Sequence, residues 1–103
     1  MPIMEISIIP VGTKKPSVSG YVAGVVRLLK KEKGIKYQLT SMGTIVEACS
    51  LKRLLKIAGN MHKAILGPPG VKRVVTTIKI DDRKDKRLTI KGKLESVYSK
   101  IER

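Results

Sequence analysis

Two residues of the chain, His62 and Cys49, carry side chains that can bind a metal ion or take part in nucleophilic catalysis. Each is the only residue of its type in the 103-residue sequence. A structural zinc site needs four side-chain ligands, and a catalytic nucleophile needs a base that is itself held by a third group. One chain cannot build either from these two residues, so we expect a helix-boundary histidine and a small buried thiol.

Two short segments resemble ion-binding or phosphate-binding motifs. Residues 81–85, Asp-Asp-Arg-Lys-Asp, suggest a magnesium site, but the two intervening cations offset the field that a divalent ion needs, and we expect a salt-bridged loop. Residues 12–15, Gly-Thr-Lys-Lys, lack the spaced glycine and lysine of a P-loop, although amides preceding a helix could still hold a sulfate or phosphate. With no credible acid and base pair elsewhere, the sequence predicts no enzyme activity, no cofactor and no metal site.

Positive charge dominates the composition. Lysine and arginine total 22 against 8 acidic residues, which gives a net charge of +14. Such a surface could attract nucleic acid through sequence-independent electrostatics, or it could be a solvated basic surface. RNA-recognition sheets display stacking aromatic residues, whereas this chain has no Phe or Trp and its three tyrosines fall at positions predicted to face the core. Nucleic-acid binding is therefore the less favoured alternative to small-molecule binding.

The chain suits one domain, residues 1–103, with 42% hydrophobic residues to form a core. A partner subunit would help so short a chain to bury apolar surface. The N-terminus has no basic start followed by a long apolar run, and the longest apolar tract, around 21–29, is interrupted by Gly24 and Arg27. Together with the single cysteine, these features predict a cytoplasmic protein that does not enter a membrane.

The hydrophobic pattern predicts four strands and three helices. Alternation indicates strands over 3–10, 35–40, 44–49 and 72–81, with Ser41-Met42-Gly43 as a hairpin connection. Helical spacing begins at Val18 with Ser17 as a cap and Gly34 as a stop, and two further helices follow caps at Ser50 and Thr89. The third helix is expected to turn an apolar inner face, Ile90, Leu94, Val97, Tyr98 and Ile101, towards the core.

This order, βαββαβ plus a C-terminal helix, predicts an α+β ferredoxin-like fold with a four-stranded antiparallel sheet and its two crossover helices on one face. The opposite face is left open. Glu47 is assigned to it because burial beneath the helices would be costly. The open face then mixes polar groups with an apolar minority that favours a partner sheet; its expected residues are Glu5, Ser7, Ile9, Gln38, Thr40, Ile45, Glu47, Val75, Thr77, Lys79 and Asp81.

Three segments, residues 5–13 (EISIIPVGT), 37–44 (YQLTSMGT) and 73–83 (RVVTTIKIDDR), resemble the thiamine-binding protein family over essentially the whole chain. A proline often stands in that family where this chain has Ser41. The resemblance implies a ferredoxin-like subunit that assembles through its sheets into homodimers and commonly tetramers. It further implies that the subunit binds thiamine or its hydroxymethylpyrimidine portion without catalysis.

Carried over by position, the resemblance implies ligand contacts from Glu5, Ser7, Met42, Gly43, Thr44, Thr77, Lys79 and Asp81. Carboxylates, hydroxyls and hairpin backbone groups could satisfy the ring nitrogens and exocyclic amine of an aminopyrimidine. The cationic thiazolium of thiamine would need local negative charge in so basic a protein, and Glu47 joins Glu5 and Asp81 as a source of it.

Each of these contacts has a structural alternative. Glu5 could pair with Lys79 across neighbouring strands, and Ser7 and Thr77 could be ordinary strand residues. Gly43 could serve the geometry of the hairpin. Met42 could cover a ligand ring or fill the core.

Overall fold

A computed structural model describes residues 1–14 and 18–102, so the predicted cap at Ser17 lies outside the described residues. The elements are β1 (Ile3–Val11), α1 (Ser19–Lys30), β2 (Lys36–Leu39), β3 (Thr44–Glu47), α2 (Leu51–Leu66), β4 (Arg73–Asp81) and α3 (Ile90–Ile101). The strands form one antiparallel sheet in the order β2-β3-β1-β4. The predicted ferredoxin-like α+β fold with a C-terminal helix is confirmed.

Strand β1 lies inside the sheet, between β3 and β4. It pairs with β4 along its whole length, from Ile3 opposite Asp81 to Val11 opposite Arg73. The sequence predicted that Pro10 would end this strand, but Pro10 lies within it, opposite Val74. A proline cannot donate to a ladder, and it is tolerated here because this end of β1 has a strand neighbour only on the β4 side.

The caps at the last two helices form as predicted. The side chain of Ser50 accepts a hydrogen bond from the Arg53 backbone N–H at 3.1 Å, and that of Thr89 accepts one from the Gly92 N–H at 2.9 Å. Each cap satisfies a backbone donor that a helix start leaves unpaired. Helix α1 begins differently, because the residue before it, Val18, makes no side-chain cap.

The core lies between the sheet and the two crossover helices. Alternate residues of β1 point into it, and α2 contributes the longest buried stripe of any helix. The buried cluster consists of Met4, Ile6, Ile8, Val25, Leu29, Val46, Ala48, Leu54, Ile57, Ala58, Met61 and Ile65. At about 25 cal/mol per Å² of apolar surface removed from water, these side chains supply most of the driving force for folding.

Helix α3 stands apart from this core, contrary to the predicted inner face. None of its residues is buried, and Tyr98 is 57% exposed. The radius of gyration, 15.1 Å, exceeds the roughly 13 Å expected for a compact domain of this length, consistent with a projecting helix. The prediction of a core-facing Tyr98 is wrong because periodicity identifies an apolar face without identifying what covers it.

Other local predictions have mixed outcomes. Cys49 is exposed, so the predicted buried thiol is wrong. The charged loop after β4 is salt-bridged as predicted: Arg83 Nε donates to Asp85 Oδ1 at 2.7 Å, and this hydrogen bonding holds the pKa of the Asp85 carboxyl below its usual value. No helix within the described residues is both long enough and apolar enough to cross a membrane.

Candidate functional site

The candidate site arises because neighbouring strands differ in length. Strand β1 has nine residues, whereas β3 has four and pairs only with Ile3 through Ile6. Among the described residues, no strand pairs with that edge of β1 beyond Ile6. Backbone N–H and C=O groups point alternately to the two sides of a strand, so this edge presents hydrogen-bonding groups that the sheet does not use.

A cavity of about 950 Å³ lies beside this edge. Its other walls are α1 and the hairpin between β2 and β3, and its volume is at the upper end of the range usual for small-molecule sites. Most of the lining residues are apolar: Ile6, Ile8, Ile9, Val18, Val22, Ala23, Val25, Val26, Leu39, Met42, Met61 and Ile65. Such walls suit the faces of a ring.

The hairpin that closes one side is held by Thr40. Its hydroxyl donates to the Gly43 carbonyl at 2.8 Å and accepts from the backbone N–H groups of Gly43 and Met42 at 3.1 and 3.3 Å. The Met42 side chain is 83% exposed at the rim of the cavity, so the alternative in which it fills the core is wrong. A flexible thioether in this position is free to cover a bound ring.

Gly43 occupies a place where a side chain would be crowded by the backbone of β1. A Cβ atom there would lie 3.0 Å from the carbonyl oxygen of Ile6 and 3.7 Å from Cγ of Glu5. The first distance is shorter than ordinary van der Waals contact with backbone, so the close approach of the hairpin to β1 favours glycine at this position. The same contact shows that the Glu5 side chain lies against the hairpin, beside the cavity.

On the open face, Glu5 and Lys79 are directly opposite each other and form an ion pair, with Nζ and Oε1 3.6 Å apart. Both side chains are largely solvated, so the pair contributes at most about 1 kcal/mol. Ser7 and Thr77 are opposite each other one step further along the same face. The cross-strand pairing considered for Glu5 is therefore present, and its carboxylate remains accessible to a ligand.

Glu47 and Asp81 hold the start of α3. The Glu47 side chain reaches the open face, but the residue is only 3% exposed, and its Oε1 accepts a hydrogen bond from the Ile90 backbone N–H at 2.7 Å. Asp81 pairs with Lys93 of α3. Glu47 was assigned to the open face to avoid burial beneath the helices. It does lie on that face, opposite Ile3, but the start of α3 buries it there.

The predicted ligand contacts thus divide by location. Four of them, Ser7, Met42, Gly43 and Thr44, line the cavity. Thr77 and Lys79 lie on the exposed open face, Glu5 lies between the two regions, and Glu47 and Asp81 are engaged with α3.

Among the cavity residues that sequence reasoning missed are the two charged ones, Arg27 and Lys30 of α1. They are one helical turn apart and therefore share a face of the helix. The sequence did contain a signal for them, since Arg27 interrupts the longest apolar tract of the chain.

Comparison with known proteins finds similarity over nearly the whole chain. A family model described as "Thiamine-binding protein" matches residues 4–98. The protein YqgV of Bacillus subtilis is 44% identical over 105 residues, covering 99% of each chain.

Two solved structures are similar. The hypothetical protein MJ1052 of Methanocaldococcus jannaschii superposes with a TM-score of 0.83 at 39% identity, covering 94% of this chain and 95% of that one. A Thermotoga maritima protein described as a candidate for thiamine biosynthesis or salvage gives a TM-score of 0.74 at 18% identity, covering 93% and 97%. At that identity the second likeness establishes only the shared fold.

Proposed function

This chain belongs to the thiamine-binding protein family, and on that basis we propose that it binds thiamine or the hydroxymethylpyrimidine portion of thiamine without transforming it. The observation that carries the proposal is the cavity beside β1, because it gathers residues from two of the three family-like segments. Ser7 comes from the first segment, and Met42, Gly43 and Thr44 come from the second.

The chemistry of this cavity suits an aminopyrimidine. The ring has aromatic faces that pack against aliphatic walls, while its nitrogens and exocyclic amine need both donors and acceptors. The unpaired edge of β1 offers backbone groups of both kinds, and the hydroxyl of Ser7 can donate or accept. Glu5, next to Gly43, is placed to accept from the exocyclic amine at the cavity rim.

A carrier or sensor role agrees with the side chains present. The charged residues that line the cavity, Arg27 and Lys30, are both cations, and the carboxylate proposed to meet the ligand, Glu5, is ion-paired with Lys79. General acid–base catalysis instead needs a proton donor and a proton acceptor that are both close to the reacting atoms. His62, a residue able to supply such a group, has its Nδ1 2.6 Å from the Thr76 hydroxyl and is not a lining residue.

We further propose that the working species is a cytoplasmic homo-oligomer, a dimer or tetramer. Helix α3 exposes Leu94, Val97, Tyr98 and Ile101, and the open sheet face exposes Ile9 and Val75. The α3 residues recur at helical spacing and so form one exposed apolar stripe, and such apolar patches mark interaction sites in soluble proteins. A second copy would bury it and supply the core area that a chain this short lacks.

The nucleic-acid alternative finds no stacking platform among the tyrosines. Tyr37 lies opposite Val46 on the helix-covered side of the sheet, Tyr21 packs against the core, and Tyr98 lies on α3. A bound strand would therefore be held by charge alone.

The test is calorimetric titration of the oligomer with thiamine and with hydroxymethylpyrimidine at two salt concentrations. We expect saturable binding that changes little with salt, and a weaker affinity in Ser7→Ala, with Ser96→Ala on exposed α3 as the matched control. The absence of heat with both compounds would refute the proposal. If the protein then bound single-stranded DNA with a steep salt dependence, the nucleic-acid alternative would replace it.

A further inference from the structure

The charge lining the cavity is the opposite of what thiamine itself requires. The thiazolium ring is a cation, yet the ionisable side chains among the described lining residues are the cations Arg27 and Lys30. No ion pair found in the described part of the chain includes either of them. A cleft whose lining is largely apolar and includes two solvent-exposed cations is suited to a ligand with an apolar ring and an anionic end.

The carboxylates that could neutralise these cations are engaged elsewhere. Glu32, the acid nearest to them in sequence, accepts from Arg53 at 2.7 Å. Glu5 pairs with Lys79, and Glu47 and Asp81 hold α3. The local surplus of positive charge at the α1 side of the cavity is therefore not cancelled by these contacts.

Taking the proposed function as its basis, we infer that the ligand is a phosphorylated form: hydroxymethylpyrimidine phosphate or thiamine phosphate, with its phosphoryl group on Arg27 and Lys30. The phosphoryl oxygens accept hydrogen bonds from the guanidinium and the ammonium group, while the pyrimidine occupies the aliphatic part between β1 and α1. A phosphate monoester carries a charge of about −1.5 to −2 at pH 7, which the two cations match. In thiamine phosphate, the same group also offsets the thiazolium charge.

The position of Arg27 supports this role. Its Nη2 atom lies 3.9 Å from the place that a Cβ of Gly24 would occupy, so the guanidinium folds back along α1 by one turn. Guanidinium groups bind phosphate with paired N–H donors, and an adjacent lysine adds a point charge.

The experiment compares two pairs of ligands by calorimetric titration at 0.15 M salt: hydroxymethylpyrimidine with its phosphate, and thiamine with thiamine phosphate. We expect the phosphorylated member of each pair to bind about tenfold or more tightly, the effect of at least one hydrogen bond to a charged group. In the double variant Arg27→Gln/Lys30→Gln this preference should fall to within about twofold, since the amides retain donors but lose the charge.

A matched control separates this effect from net charge. Lys52→Gln/Lys56→Gln removes the same two charges from exposed positions of α2 that do not line the cavity, and it should keep the full preference. If both members of a pair bind equally well, the phosphate inference fails and the proposed function stands. If none of the four compounds binds, the proposed function fails as well.

A last arm uses inorganic phosphate as a competitor. The inference requires it to compete more weakly, by at least about tenfold, than the phosphorylated pyrimidine, because it lacks the ring that the aliphatic walls bury. Equal competition would show an anion site that does not recognise the ring, and it would overturn the inference. Loss of preference in the α2 control would do the same, because the effect would then belong to overall charge.

Discussion

The buried carboxylate of Glu47 should stabilise the fold by anchoring α3, and its replacement by alanine tests that role. The substitution removes the acceptor of a 2.7 Å hydrogen bond and leaves the Ile90 N–H without its partner. Hydrogen bonds to charged groups contribute about 1.5–3 kcal/mol. A carboxylate at a helix N-terminus adds about 0.3–1 kcal/mol through the helix dipole. In the unmodified protein, burial of the Glu47 carboxylate costs free energy of desolvation. The alanine variant avoids this cost, which offsets part of the lost stability.

We therefore expect Glu47→Ala to lower the free energy of unfolding by about 2 kcal/mol, and Glu47→Gln, which keeps an acceptor, by about half as much. Urea unfolding at a fixed protein concentration measures this, and the midpoint of the alanine variant should fall by about 1 M. The matched control is Glu95→Ala, an exposed glutamate of α3 whose pair with Lys91 is worth a few tenths of a kcal/mol.

Hydrogen exchange identifies the location of the effect. The Ile90 amide should lose protection in Glu47→Ala while amides in the middle of β1 keep theirs, because α3 makes few contacts with the core. Unfolding free energies within about 0.5 kcal/mol of the unmodified protein, the usual range for surface substitutions, would refute the anchoring role. The anchoring role would also be refuted if Glu47→Gln kept the unfolding free energy of the unmodified protein but bound the ligand more weakly. The Glu47 carboxylate would then act in the binding site.

Three further predictions concern the hairpin, the oligomer and the open face. Gly43→Ala should destabilise by about 1–3 kcal/mol in thermal or urea unfolding, the usual cost of overpacking, whereas Gly59→Ala, with open space inside α2, should stabilise by up to about 1 kcal/mol. Val97→Glu should lower the mass measured by light scattering towards that of one chain if α3 forms the interface; an unchanged mass would place the interface elsewhere. Glu5→Gln should change stability by less than about 1 kcal/mol, because its pair with Lys79 is solvated, and a lowered ligand affinity would assign its carboxylate to the site.

Local sequence signals predicted much of the fold because they depend on nearby residues. Ser50 and Thr89 cap the helices that follow them since each hydroxyl needs only the backbone three residues ahead. The alternation of β1 predicted its two faces correctly, and the ion pair between Glu5 and Lys79 follows from that alternation once the strands are neighbours. The strand pairing needed only the order of the elements and the handedness of crossovers.

The environment of α3 could not be read in the same way. Its apolar spacing is consistent with a helix packed on the core, with a helix packed on another chain, or with an exposed one. The burial of Glu47 could not be predicted for the same reason. A carboxylate is expected to stay solvated, yet a hydrogen bond from the backbone of α3 permits its burial. Contacts that depend on a non-local partner leave no periodic trace in the sequence.

The cavity is a third case, since it depends on a comparison of strand lengths. The sequence predicted eight residues for the first strand and six for the third, too similar to suggest a gap. In the structure, the lengths are nine and four, and five residues of β1 extend beyond the last pair with β3. Strand ends are set by turns and packing, so a difference of a few residues determines whether a binding space exists.

The distances within the sheet decide which of the predicted contacts can act on one ligand. Asp81 lies opposite Ile3, four residues along β1 from Ser7, which corresponds to about 13 Å at 3.3 Å per residue. A ligand seated in the cavity beside Ser7 would have to cross the paired part of the sheet to reach Asp81, which α3 already engages. Thr77 is directly opposite Ser7, but it lies on the β4 side of β1, away from the edge that borders the cavity, and it is not a lining residue. Ser7 therefore belongs with the cavity and Thr77 with the open sheet face, whereas Asp81 and Glu47 belong with the attachment of α3.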